Sequence, residues 1–425
     1  MWGGSPSSTV WGGDFKLFVM IAAWCLDDRN LEPERHRPPM SAARAYLDHN
    51  ATAPVRPAAA EAMAAALQAG GNPSSIHAEG RAARGRVEAA RDALAALGEV
   101  RTTEIVFTSG GTEANALALT PALLPNPSEA VLLISAVEHV CVLQGHRFPK
   151  ERVELIPVLA DGVIDLAWLE ARLAAAPEGS VMIAVQWANN ETGIIQPIAA
   201  IADLVHAHKG RLHVDGVQGA GKIAFTRREL GADTLALSAH KLGGPQGIGA
   251  LILGPGLVID QKMLIGGGQE RGTRAGTENV PGIAGFGAAV REALAALPAE
   301  TARLADLRDA CEAALLEHAP EAVIFGAGVA RLPNTLCFAI PGLKAETALM
   351  AFDLNGVALS SGSACSSGKV KRSHVLAAMG VPDDLAACAL RLSLGWSSTE
   401  KDVIQFGSAL EKIRNNTIKK DTRAA

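Results

Sequence analysis

The sequence predicts an α/β fold with a mostly parallel central sheet, and three observations carry that expectation. From Arg56 onward helical and strand signals alternate, the pattern of strands joined by crossover helices. The strand candidates are short apolar runs of the kind that make buried strands. Beyond their C-terminal ends stand polar and charged residues, on the edge where open α/β sheets bind ligands.

Taken in order, Pro57 to Ala69 is an alanine-rich helix with proline in its first turn. Gly70 to Ser75 is a loop, and Ala78 to Leu97 is a second helix stopped by Gly98. Glu104 to Thr108 gives a strand, Ser109-Gly-Gly-Thr112 a turn, and Glu113 to Leu119 a helix. Ala130 to Ile134 is the next strand, followed by Glu138 and His139. Val181 to Val185 leads into Gln186-Trp-Ala-Asn-Asn-Glu-Thr-Gly193, and helix Ile198 to Lys209 precedes the strand Arg211 to Asp215. Thr234 to Leu237 is a further strand.

A length of 425 residues suggests two domains, one larger than the other. With 20% charged and 48% apolar residues the composition is that of an ordinary globular protein, and a net charge of −5 favours neither nucleic acid nor an anionic membrane as partner. Six cysteines lack CxxC or CxxH spacing, which argues against an intrinsic metal site and a secreted disulfide framework, and makes the cytoplasm the expected location. Residues 1–39 look foreign to the rest. Leu17 to Leu26 has the length of a signal-peptide core, but its upstream flank carries Asp14 and a single Lys16 and matches a positive n-region poorly, and we expect translation to start at Met40.

The stretch Ser238-Ala-His-Lys-Leu-Gly-Gly-Pro-Gln-Gly-Ile-Gly249 places Lys241 between an apolar strand and a glycine-rich loop. A lysine held at a strand end among apolar neighbours can lose its charge and act as a Schiff-base nucleophile. Ser109 to Thr112, in a strand–turn–helix, offers backbone N–H groups and a positive helix end to a phosphate. Asp215 ends an apolar strand, where a buried carboxylate requires a cation. His139, just past another strand, can face a flat ring. Together these parts match the needs of pyridoxal 5′-phosphate: an amine for its aldehyde, a carboxylate for its ring nitrogen, a phosphate cup and a stacking partner.

The chain resembles the cysteine desulfurases, class V aminotransferase relatives among the fold-type I pyridoxal-phosphate enzymes, from about Tyr46 to Ile413. The resemblance is carried by Tyr46-Leu-Asp-His-Asn-Ala-Thr52, Thr108-Ser-Gly-Gly-Thr-Glu113, Glu138-His139, Asn189-Asn-Glu-Thr-Gly193 and His213-Val-Asp-Gly-Val-Gln218. It continues through Ser238-Ala-His-Lys241, Gly266 to Thr277, Ser361-Gly-Ser-Ala-Cys365 and Arg391-Leu-Ser-Leu-Gly395. It implies that Lys241 carries the cofactor, Asp215 pairs with its pyridine nitrogen and His139 stacks on its ring. Gln218 and Asn190 are implied to address the cofactor's phenolic oxygen or the substrate. Gly111, Thr112, Ser238 and His240 would hold the phosphate, and Thr277 would reach the phosphate of a neighbouring subunit, hence a homodimer.

Ser361-Gly-Ser-Ala-Cys-Ser-Ser-Gly368 is a run of small residues around one thiol that packs no core and is expected to be a mobile loop, after a strand edge from Leu354 to Ser361. The resemblance makes Cys365 the residue that takes sulfur from L-cysteine as a persulfide and releases alanine, with His139 assisting by proton transfer. It further implies an iron–sulfur scaffold protein or a tRNA-thiolation relay as acceptor, with Cys365 able to contact a transferred cluster. Arg391, in an apolar strand, suits a substrate α-carboxylate, with a structural ion pair as the competing reading. Residues 51–296 would form the cofactor domain, and 40–50 with 297–425 a smaller α+β domain. A sister pyridoxal-phosphate enzyme and a non-catalytic scaffold are the alternatives. An aminotransferase has no use for Cys365, selenocysteine turnover stays open as a side activity, and the scaffold would not need Lys241, Asp215 and Cys365 together.

Overall fold

The computed structural model of the chain describes residues 44–361 and 372–424, the stretch 416–424 in backbone only. After a short strand β1 (Ala45–Tyr46) come helices α1 (Pro57–Ala69) and α2 (Ala78–Gly98). A seven-stranded sheet follows, built from β2 (Ile105–Thr108), β3 (Val131–Ser135), β4 (Val153–Ile156), β5 (Val181–Gln186), β6 (Arg211–Asp215), β7 (Thr234–Ser238) and β8 (Gly249–Leu253). Its spatial order is β2-β8-β7-β6-β5-β3-β4. β4, β3, β5, β6 and β7 pair in parallel, while β8 runs antiparallel between β7 and β2.

The apolar runs are continuous because helices cover both faces. Along β5, Val181, Ile183 and Val185 enter one core, and Met182 and Ala184 enter the other. β3 alternates in step, with Leu133 in the first core and Leu132 and Ile134 in the second. Two helices follow from the turns at the sheet's carboxyl edge: α3 (Gly111–Ala118) after β2 and α4 (Val140–Gly145) after β3. The register sets Gln186 beside Asp215, and Ser238 beside Gly249, which in turn pairs with Thr108. All five residues therefore stand on that one edge.

A third apolar core gathers Ala45 and Leu47 with Leu336, Phe338, Phe352, Leu390, Leu392 and Phe406. It packs around an antiparallel sheet of β9 (Val323–Ile324), β10 (Thr335–Ala339) and β12 (Ala389–Ser393), while β11 (Val357–Ala358) pairs in parallel with β1. The 39-residue helix Val280–His318 joins the cores: Val280 to Val290 packs on the large sheet, and Leu304 to Leu315 on the smaller one. That helix is long and apolar enough to cross a membrane, but its most apolar window is 67% buried inside the protein, as in a core helix.

Two expectations need correction. The turn after β2 coils two residues earlier than the sequence indicates, so Gly111 and Thr112 are already helical. The strand edge expected from Leu354 to Ser361 reduces to Val357–Ala358, because Leu354 ends the helix Ala345–Leu354. The segment Gly362 to Lys371, with Cys365, lies outside the described residues, as does the leader.

Candidate active site

A cavity of about 340 Å³ opens on the carboxyl edge of the large sheet. Its walls bring together Lys241, Asp215, His139, Gly111, Thr112, Asn190, Gln218, Ser238, His240 and Arg391. Residues more than 270 positions apart in the chain thus line one pocket.

β6 delivers Asp215 and β7 delivers Lys241. Asp215 is 6% exposed, with Oδ1 accepting the Val217 N–H at 3.0 Å and Oδ2 accepting the Asn115 amide at 2.8 Å. Among the described residues no lysine or arginine pairs with it. Burial pushes its carboxyl above the usual range, against the pull of the Val217 N–H, Asn115, His139 and Lys241. The Asn115 amide is itself fixed. Its Oδ1 lies 2.8 Å from His213 Nε2, whose other nitrogen meets Thr234 Oγ1 at 2.8 Å. Since Asn115 Oδ1 only accepts, His213 carries its proton on Nε2, and complete burial holds its pKa down to about 3. A buried carboxylate gripped by neutral donors is a seat for a cationic ring nitrogen.

The Lys241 amine donates to the backbone carbonyls of Asn50 at 2.6 Å and Ala51 at 2.9 Å. Its setting is a carbonyl clamp and not the apolar one expected from the sequence. α3 brings Gly111 to the opposite wall. There a Cβ would stand 2.9 Å from Val217 Cγ2 and 3.4 Å from Ser238 Cβ, so the cup at this helix end is shaped for backbone approach. Ser109 takes no part in the cavity wall, and its N–H is held by Glu113 Oε2 at 2.7 Å. Glu113 in turn pairs with Arg274 at 3.0 Å, and the guanidinium helps hold its carboxyl low despite burial.

His139 caps α4, its Nδ1 accepting the Cys141 N–H at 3.2 Å, so a neutral ring carries its proton on Nε2. Burial, then Lys241 and His374, lower its pKa, while Asp215 opposes them. His240 lies 3.2 Å from Thr52 Oγ1, and burial and Lys241 bring it to about 4. Arg391 is 3% exposed. Its Nη2 meets Asp48 Oδ1 at 2.6 Å and its Nη1 donates to the Asn190 carbonyl at 2.9 Å, while Nε has no hydrogen-bond partner among the described residues. The competing ion pair is therefore present, in a residue that also lines the cavity. Thr277 is exposed and stands outside the cavity of its own chain.

Sequence reasoning missed Asn50, Asn115, Gln186 and Cys141 in the wall. Asn115 was within reach, three positions after Thr112 on one helical face. Cys141 reads from the sequence as a core or helix-face thiol, yet it borders the cavity, and burial followed by Asp215 pushes its thiol up to about 12. No cluster of three or more metal-ligating side chains occurs among the described residues.

An amine on a carbonyl clamp, a buried carboxylate opposite and a glycine-lined helix end around one cavity define a pyridoxal-phosphate enzyme of the α/β type. The model of the aminotransferase class-V family matches residues 45–406. A cysteine desulfurase from Cereibacter sphaeroides is 42% identical over 376 residues, 87% of this chain and 95% of the relative. The cysteine desulfurase IscS of Dictyoglomus turgidum is 38% identical, covering 87% of this chain and 94% of that one. The solved structure of a NifS-like protein from Rickettsia africae superposes with a TM-score of 0.79 at 35% identity, over 88% of this chain and 99% of the other. The chain belongs to the class-V aminotransferases and, within them, to the cysteine desulfurases.

Proposed function

We propose that the chain removes sulfur from L-cysteine, leaving alanine and a persulfide on Cys365, and passes that sulfur to an acceptor protein for iron–sulfur cluster assembly. The observation that carries the reading is the meeting of Lys241, Asp215, His139 and Arg391 around one cavity. Bound pyridoxal phosphate supplies an aldehyde carbon for amines and a ring that accepts electrons. Lys241 is the amine that would hold it, Asp215 the group that keeps a proton on its ring nitrogen, and Gly111, Thr112, Ser238 and His240 the phosphate cup. His139 can give or take a proton at Nε2 alone, since Nδ1 is engaged by a backbone N–H. Arg391 lines the cavity, and its guanidinium is the group that would meet the substrate carboxylate.

In the sulfur step the Cys365 thiolate attacks the sulfur of cysteine. An S–S bond forms, the carbon–sulfur bond breaks, and its electron pair stays on the carbon, which takes a proton and becomes the methyl group of alanine. We read residues 51–296 as the cofactor domain and 40–50 with 297–425 as the smaller one, as the separate apolar cores suggest. A homodimer with shared sites is part of the proposal, supported by exposed Val258, Met263, Leu264 and Ile265 beside the Thr277 segment, and so is a cytoplasmic location.

The test uses cysteine carrying radioactive sulfur and no reductant. The parent enzyme is expected to hold protein-bound label. Cys365→Ser should bind cofactor and respond to cysteine in its absorption spectrum, yet carry no label. Label on Cys365→Ser, with alanine formed at the parent rate, would overturn the proposal.

A further inference from the structure

Behind the cavity wall lies a lysine that the chemistry above does not use. Lys222 is 7% exposed and borders a narrow cavity of about 20 Å³ on the far side of Lys241, beside His49, Arg56 and Asn334. Burial is costly for an amine, and Lys241 and Arg391 add positive charge nearby, so its pKa is driven well below the ordinary value. A solvated position would remove that cost, and its side chain instead reaches inward to two amides. Nζ donates to Gln218 Oε1 at 2.7 Å and to Asn50 Oδ1 at 2.8 Å, which the neutral and the charged amine can do alike.

Those two bonds decide which way each amide faces. Gln218 Nε2 donates to the Asn50 carbonyl at 3.0 Å. A flipped Gln218 would set its NH₂ against the Lys222 donor and its oxygen against a carbonyl oxygen, losing both bonds. Asn50 Oδ1 also accepts from Asn334 Nδ2 at 3.1 Å, and Asn50 Nδ2 donates to Thr335 Oγ1 at 2.9 Å. The carbonyl of this same Asn50 clamps Lys241. Lys222 does not line the cavity, but it touches two residues that do.

We propose that Lys222 is a positioning residue of this active site: its buried amine locks the Gln218 amide with Nε2 toward the Asn50 carbonyl and holds Asn50, whose carbonyl aims the Lys241 amine. The proposal rests on the cavity being the cofactor site.

Holoenzyme carrying Lys222→Met keeps the side-chain length and loses the donors. The expected result is a folded variant that retains cofactor. The visible absorption of its lysine-bound cofactor shifts, the pH titration of that absorption moves, and kcat falls about tenfold or more with KM for cysteine little changed. Gln218→Met should give the same spectral shift and the double variant no further one, because both substitutions release one amide. A spectrum, titration and kcat like the parent's would overturn the proposal, as would spectral shifts that add. A parent enzyme without lysine-bound absorption would overturn the site reading and the proposal with it.

Should Lys222→Met fail to fold or lose its cofactor, the melting of purified Gln218→Glu against Gln218→Met decides. Both lack the Nε2 donor, and only the first keeps an oxygen for Lys222. Gln218→Glu melting several degrees above Gln218→Met is the expected result, and equal melting overturns the proposal.

Discussion

Lys241, held by the carbonyls of Asn50 and Ala51, and the neighbouring His49 give the sharpest tests at the scale of single residues. Lys241→Ala removes the amine on the carbonyl clamp. It is expected to abolish lysine-bound absorption even where cofactor lingers, and to lower alanine formation on the order of a thousandfold or more, measured by amino-acid analysis of single-batch reactions. Cys141, at about 12, has almost no thiolate at neutral pH, so peptide mapping of Cys365→Ser is expected to find no persulfide on it. His49 is 1% exposed with neither ring nitrogen hydrogen-bonded among the described residues, and burial, Lys222, Arg56 and Arg303 depress its pKa to about 3. Because the folded pKa lies below the unfolded one, the unfolded chain takes up the proton first, and stability is lost as pH falls below about 6.5. His49→Phe removes this loss. Relative to the parent it should gain roughly 2 kcal/mol of stability between pH 7.5 and pH 5, read from denaturant melts at the two pH values. An equal pH response in both proteins would show that the folded ring takes up its proton as readily as the unfolded one.

At the scale of elements, the turn that follows β6 fixes Asp215 from behind. The Trp187 N–H donates to the Asp215 carbonyl at 2.9 Å, and the Trp187 ring leaves no room at Gly219, where a Cβ would lie 2.1 Å from the ring. Gly219→Ala is expected to cost about 1–3 kcal/mol, seen as a lower melting temperature, with weaker cofactor retention on dialysis. The strands that bear Asp215 and Lys241 are legible from the sequence because a buried parallel strand is an uninterrupted apolar run with its functional residue at the end. The rest depends on partners that local pattern does not carry. β8 is antiparallel among parallel strands, and its sequence differs little from theirs. The helix Val280–His318 changes core part-way along, so no single apolar stripe runs its length. Lys222 reads as a surface lysine because lysines are rarely buried, and only the fold reveals two amides beside it. Arg391 was legible as expensive, but its partner Asp48 lies 343 positions away.

For the whole molecule, the exposed Thr277 and the apolar residues before it make sharing between subunits the property to test. If the sites are shared as proposed, a mixed dimer of Lys241→Ala and Thr277→Ala chains has one site that has lost both groups and one that has kept both. Co-expression of two weakly active variants is therefore expected to restore cofactor retention and alanine formation to about a quarter of the parent value, taking random pairing with half of the dimers mixed and one of two sites intact. Activity no higher than the average of the two separate variants would mean that each site is built from one chain.

The pairing of Asp48 with Arg391 also sets an order of events at the ribosome. At about 5–20 residues per second, the 343 positions between them take roughly 20 to 70 seconds to synthesise. During that interval the strands bearing Asp215 and Lys241 have emerged, while the guanidinium against Asp48 does not yet exist. β12 arrives after every strand of the large sheet, and with it come the bridge from Ser393 to Asp48 and the wall formed by Arg391. A nascent chain can thus form most of a cofactor seat long before it can close one. On the proposed function, the wall that would meet the substrate carboxylate is the last part of the site to be synthesised.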